Sequence, residues 1–159
     1  MLTQPEVGKF LLAANKHIID SDLNEFFLWH GTDPGTVDIM AAQDFDERVA
    51  TLGGLYGGGS YFADAACKST QYASTTNAKG EHVMLYCRVT NSMGEAFKTT
   101  TLHNGVRRAP DNPATSGRPY DSIFAETGVA NIGAQALNEY VIFRAQQCYP
   151  EYIVWYTTS

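Results

Sequence analysis

Cysteine is scarce in this chain: Cys67, Cys87 and Cys148 make an odd number, and no two of them form a Cys-x-x-Cys pair. A disulfide framework or a structural zinc site needs closer groupings, so the three are expected to be reduced thiols in an intracellular setting. His17, His30, His82 and His103 are scattered too widely to supply metal-ligand spacing, and no metal is expected. Positive charge is also in deficit, with 11 Lys and Arg against 17 Asp and Glu and a formal charge of −6. A broad phosphate-coating surface is thereby disfavoured, and nucleic acid with it as a partner. No apolar run approaches the roughly 20 residues that a membrane helix needs. The opening Met1-Leu2-Thr3-Gln4-Pro5-Glu6 lacks the basic and apolar regions of a signal peptide. A soluble protein with no membrane partner is expected.

What is present suits one packed domain spanning 1–159. With 44% hydrophobic and 18% charged residues the chain is globular rather than disordered, and at this length a core needs no disulfide or metal support. Val7, Phe10, Leu11, Ala14 and Ile18 recur at helical steps, and Thr3 with Glu6 fits a capping box, so an N-terminal packing helix is predicted. Phe26 to His30 reads as a strand ending in a turn at Gly31-Thr32, and Thr36 as the cap of a short helix through Ala42. Residues 44–60 end in Gly53-Gly54-Leu55-Tyr56-Gly57-Gly58-Gly59 and must be a loop or a series of tight turns. Asp64 is placed to cap a helix over Ala65 to about Ser74. His82 to Thr90 alternates as a strand with Val83, Leu85, Cys87 and Val89 on one face; Tyr120 to Glu126, Glu139 to Ala145 and Tyr152 to Thr157 read as further strands. Residues 91–119, broken by Pro110, Pro113 and Pro119, read as a long surface connection. The sum is an α+β domain without the regular alternation of a doubly wound parallel sheet.

Two familiar chemistries fail on spacing. Gly57 and Gly59 are followed by Tyr61-Phe62 with no third glycine in place, and the segment leads into a strand, so the dinucleotide fingerprint of a Rossmann fold is missing. No Gly-x-Ser-x-Gly elbow and no Cys with an evident His partner supports a nucleophilic hydrolase. There remains a dispersed set: His30-Gly31-Thr32, Tyr61-Phe62-Ala63-Asp64, Lys68-Ser69, Tyr72 and Asn138-Glu139-Tyr140. Ser69 and Tyr72 lie three apart on the predicted helix, so both can face one pocket.

In their order, Leu28-Trp29-His30-Gly31-Thr32, Gly53 to Asp64, Lys68-Ser69-Thr70-Gln71-Tyr72 and Asn138-Glu139-Tyr140-Val141-Ile142 closely resemble the catalytic core of the poly(ADP-ribose) polymerases, over residues 27–157. Phe45-Asp46-Glu47-Arg48 and Tyr149-Pro150-Glu151-Tyr152 point to the tankyrase-like branch. The cysteine-rich zinc insertion of that branch is absent, because Thr75 to Glu81 joins its flanking elements directly. The resemblance implies the ADP-ribosyltransferase fold, with two packed, mainly antiparallel sheets and a few flanking helices. It also implies NAD+, consumed as substrate, as the one cofactor.

The same resemblance assigns roles. His30, Tyr61 and Glu139 match the family's catalytic triad. Tyr61 and Tyr72 would sandwich the cationic nicotinamide ring. The backbone of Gly31 and the hydroxyl of Ser69 would bond its carboxamide, and His30, with Thr32 nearby, would bond the adenosine-side ribose. The segment 45–59 corresponds to the loop over the dinucleotide. Glu139 would stabilise the positive charge that develops on the sugar as the nicotinamide bond breaks. The implied reaction is transfer of ADP-ribose to a protein, the enzyme itself included, with elongation to poly(ADP-ribose) permitted by Glu139. No helical regulatory domain fits before residue 27, so DNA-independent activity is expected. Two other readings stand beside the enzyme: a catalytically weak NAD or ADP-ribose binding module, and a structural interaction domain.

Overall fold

The computed structural model describes residues 13, 19–43, 45–46, 48, 50–90, 96–99, 105–126 and 137–158. The expected N-terminal helix lies almost wholly outside these residues. Seven strands are described: β1 (Glu25–Thr32), β2 (Ser60–Phe62), β3 (His82–Thr90), β4 (Phe97–Thr99), β5 (Ser122–Ala125), β6 (Glu139–Ile142) and β7 (Cys148–Tyr156). Between them run α1 (Val37–Gln43), the single turn α2 (Ala66–Ser69) and short 3-10 turns. The expected α+β class holds.

The strands form two sheets, ordered β1-β3-β7 and β2-β6-β5-β4. All described pairings are antiparallel except β4 with β5. Strand β3 is the centre of the first sheet, and both its faces are covered. Val83, Leu85, Cys87 and Val89 point into a core shared with Leu28, Phe62, Tyr140 and Ile142, which brings the two sheets together. Met84 and Tyr86 join Phe27 and Trp29 on the opposite face. The outer face of the second sheet carries a third cluster, where Ile123 and Val141 meet Tyr56 and the partly buried Tyr61 of the glycine-rich region.

Several local expectations are corrected. Strand β1 continues through Gly31 and Thr32, which pair with Met84 and Val83 rather than turning away. The helix after Asp64 is a single α turn followed by a 3-10 turn over Thr70–Tyr72; its N-cap position is Ala65, with no side-chain cap bond. Asp64 does not cap it because its carboxylate instead accepts a bond from Asn138. The connection 91–119 contains β4, whose three residues are too few to show a period. Strand β7 starts earlier than expected and includes Pro150, which is tolerated because β7 is an edge strand and a register shift lies beside it. Strand β6 stops at Ile142, and Ala145 belongs to a 3-10 turn.

The sheets also touch through backbone. Trp29 and Ala63 exchange two hydrogen bonds, of 2.8 and 2.9 Å, as an isolated antiparallel bridge. This bridge sets β1 beside the end of β2.

Because Leu85 is fully buried at the centre of the three-stranded sheet, Leu85→Ala should lower unfolding stability by about 3 kcal/mol through lost burial and the cavity left behind. Urea denaturation measures this, and a loss below ~1 kcal/mol would mean the site is not the packed core described.

Candidate active site

The site forms where the edges of the two sheets meet. Strand β1 supplies His30, strand β2 Tyr61, the turns after β2 Lys68, Ser69 and Tyr72, and the first residue of β6 Glu139. Tyr61 lies across from Val141 in the β2–β6 ladder. Glu139 is two residues from Val141, so strand pleating sends Tyr61 and Glu139 to the same side of the sheet.

A cavity of about 670 Å³ is lined by His30, Tyr61 and Tyr72 together with Met40, Phe45 and Arg48, among others. Glu139 lies behind this wall. Only 5% of it is exposed, and its Oε1 takes a hydrogen bond from the Tyr72 hydroxyl at 3.3 Å and an ion pair from Lys68 Nζ, also at 3.3 Å. Lys68 Nζ in turn sits 5.9 Å from the centre of the Tyr72 ring. A buried carboxylate without partners would cost several kcal/mol, and these two contacts offset that cost. Burial, followed by the charge and hydrogen bond of Glu139, pushes the Tyr72 phenol up to about 12, so it stays a donor at neutral pH.

His30 is held from behind. Its Nδ1 lies 2.7 Å from the Tyr61 carbonyl oxygen. A carbonyl has no proton to give, so Nδ1 carries it and Nε2 keeps a lone pair. The ring packs edge-on against Phe45 and is tilted over Phe62. Burial lowers its pKa from 6.5 to about 4, against a smaller upward effect of the Tyr61 carbonyl.

Tyr61 is tied to the glycine-rich segment. Its hydroxyl donates to the Gly57 carbonyl at 2.7 Å and accepts from the Tyr56 amide at 2.9 Å. A Cβ on Gly54 would lie 2.3 Å from that hydroxyl, which explains one glycine of the run. Burial, the first cause, raises the Tyr61 pKa strongly.

Gly31 is constrained as tightly. A Cβ there would meet the Ser69 carbonyl oxygen at 2.0 Å, so the helix after β2 can approach β1 only across a glycine. Ser69 is buried, and its hydroxyl donates to the Trp29 carbonyl at 2.9 Å. Its oxygen lone pairs are left to accept. Thr32 is also buried; its Oγ1 lies 2.9 Å from Thr36 Oγ1 and 3.2 Å from Met40 Sδ. Thr36, not Thr32, lines the cavity. Among the described residues no group of three or more His, Cys, Asp or Glu could hold a metal ion. No described helix is long and apolar enough to cross a membrane.

A family model, the poly(ADP-ribose) polymerase catalytic domain, matches residues 6–158. The chain belongs to this family. Among relatives of this PARP-family chain, the mouse (Mus musculus) protein mono-ADP-ribosyltransferase PARP12 is 34% identical over 139 residues, covering 87% of the chain and 18% of the relative. The human (Homo sapiens) PARP12 is 35% identical over 138 residues, 86% of the chain and 18% of the relative. Human protein mono-ADP-ribosyltransferase PARP11 is 26% identical over 147 residues, 83% of the chain and 41% of the relative. The chain thus spans about a fifth of the length of the PARP12 proteins it matches. These relatives carry the mono-ADP-ribosyltransferase name, and closeness to the tankyrase-like branch is not what the likeness shows.

Three neighbours of the candidate site had no role assigned at Glu139 from sequence: Lys68, Tyr56 and Asp64. Lys68 was visible in its motif, and its four-residue spacing from Tyr72 was the available signal for a shared face. Tyr56 is buried near enough to Glu139 for that carboxylate, after desolvation, to raise its pKa. Asp64 stands in the Tyr61-Phe62-Ala63-Asp64 motif, but the only role expected of it was that of a helix cap.

The histidine yields a pH prediction. A folded pKa of about 4 against 6.5 unfolded means that the unfolded chain takes up a proton first as pH falls. The stability that depends on neutral His30 is therefore complete above pH 6.5 and lost between 6.5 and 4. The ring is partly exposed, so the loss should be ~1–2 kcal/mol rather than the full shift. Thermal melts across this range should show it, and His30→Asn should flatten the upper part of the slope. An unchanged slope in that variant would contradict the assignment.

Proposed function

We propose that this chain is an NAD+-dependent ADP-ribosyltransferase domain that breaks the nicotinamide–ribose bond and passes ADP-ribose to a protein acceptor, itself included. The observation that carries the reading is the meeting of His30, Tyr61 and Tyr72 on one cavity, with the buried Glu139 bonded to Tyr72 behind it. Family membership and the mono-ADP-ribosyltransferase relatives support the same chemistry.

In this reading each residue does what its surroundings allow. Tyr61 and Tyr72 offer two aromatic faces to a flat cationic ring. The Gly31 backbone, bare of a side chain, and the Ser69 lone pairs meet the carboxamide. Neutral His30 uses Nε2 to accept from a ribose hydroxyl, and Thr32 supports it from the core. Glu139 holds negative charge where positive charge develops on the ribose. Its position in a largely water-free pocket strengthens that effect. Lys68 and Tyr72 hold the carboxylate in place until substrate engages it.

Glu139→Gln should keep NAD+ affinity within about threefold while nicotinamide release falls roughly a hundred- to thousandfold, the usual effect of removing one preorganised electrostatic group. Calorimetry and a nicotinamide-release assay on the same sample read both quantities; wild-type turnover in this variant would remove Glu139 from the chemistry.

The relatives favour single-unit transfer, although Glu139 has the chemistry to activate the hydroxyl of a ribose already attached. Automodified protein run on a denaturing gel with labelled NAD+ should therefore give one discrete shifted band. A ladder reaching high mass would establish elongation instead.

A further inference from the structure

Strand β6 has a gap in its ladder at the residue that matters most. Its pairing with β2 ends at Phe62–Tyr140. The next rung on that side would join Ala63 to Glu139, but Ala63 exchanges both its backbone bonds with Trp29 of the other sheet. Glu139 keeps its pairing with Ala125 on the β5 side alone. It is also the first residue of its strand, where strands are least restrained.

Asp64 stands at this gap. It follows Ala63 directly, so its backbone is anchored by the bridge to Trp29, next to His30. Its Oδ2 accepts from Asn138 Nδ2 at 2.7 Å. The Tyr140 hydroxyl bonds the same carboxylate, while its ring is packed against Phe26 and Phe124. Asn138 and Tyr140 are the two neighbours of Glu139. Side chains alternate along an extended chain, so holding both neighbours on one side directs the Glu139 carboxylate to the other, toward Tyr72 and Lys68.

We propose that Asp64 is a positioning residue for Glu139: by gripping the side chains on either side of it, Asp64 replaces the missing backbone rung and fixes the carboxylate's approach to the site. Asp64 is not among the residues that line the cavity and acts through β6. The inference rests on the transferase reading for its consequence in catalysis, but the clamp itself does not.

The test uses three variants of the whole chain. Asp64→Ala should lower kcat for nicotinamide release roughly ten- to a hundredfold, the scale of a misplacement of about 1 Å, with KM for NAD+ changed less than about twofold. Asp64→Asn keeps an acceptor for Asn138 and a hydrogen-bonding group for Tyr140, and should recover most of the rate. If Asp64→Ala fails to fold, the double variant Asn138→Ala, Tyr140→Phe removes the same bonds and should show the same split. Hydrogen exchange at the Glu139 and Tyr140 amides, read by NMR, should quicken in the clamp-free variants and return in Asp64→Asn. Unchanged kcat with unchanged exchange in the clamp-free variants would overturn the proposal, as would loss of rate in Asp64→Asn equal to that in Asp64→Ala. Wild-type protein that releases no nicotinamide would sink the transferase reading alone, and amide exchange would still decide the clamp.

Discussion

A single buried carboxylate organises this end of the molecule. Glu139 is almost wholly shielded from water, and a charge there is tolerable only with partners close at hand. Lys68 and Tyr72 provide them from a helical segment far away in sequence. That segment must therefore pack close to β1, which it does across Gly31, where the Ser69 carbonyl leaves no room for a Cβ. The Ser69 hydroxyl then bonds the Trp29 carbonyl, and Trp29 bridges to Ala63 at the end of β2. Each contact follows from the demand of the one before it, and together they draw three separate stretches of chain around one cavity.

The two histidine-side contacts work by a different principle. At His30, burial against Phe45 and Phe62 outweighs the one backbone carbonyl that favours a protonated ring and fixes its tautomer. Glu139 is thus held by partners that contact its carboxylate, whereas His30 is kept neutral by desolvation.

Much of the fold was legible from local pattern. His82 to Thr90 matches β3 at both ends because Val83, Leu85, Cys87 and Val89 recur at every second position along it, and the helix expected after Thr36 is α1. The motif order also brought out the family, since four separated segments in sequence carry more information than any one. What local pattern could not carry was partner choice. Gly31-Thr32 has the composition of a turn, yet both residues pair with β3 because neighbouring main chain requires a flat, bare approach there. Asp64 has the chemistry of a cap and the position for one, but Asn138, 74 residues later, takes its carboxylate. Strand β4 is three residues long and pairs in parallel with a strand beyond the proline-containing connection, so no local period announces it. The missing information in each case is long-range.

The tether between Tyr61 and the glycine-rich segment has a mechanical consequence. One phenolic oxygen joins the ring that faces the cavity to the main chain at Tyr56 and Gly57. Moving that segment away from the ring, or the ring away from it, breaks both bonds at once. Cavity wall and glycine-rich main chain are therefore fastened through the same oxygen.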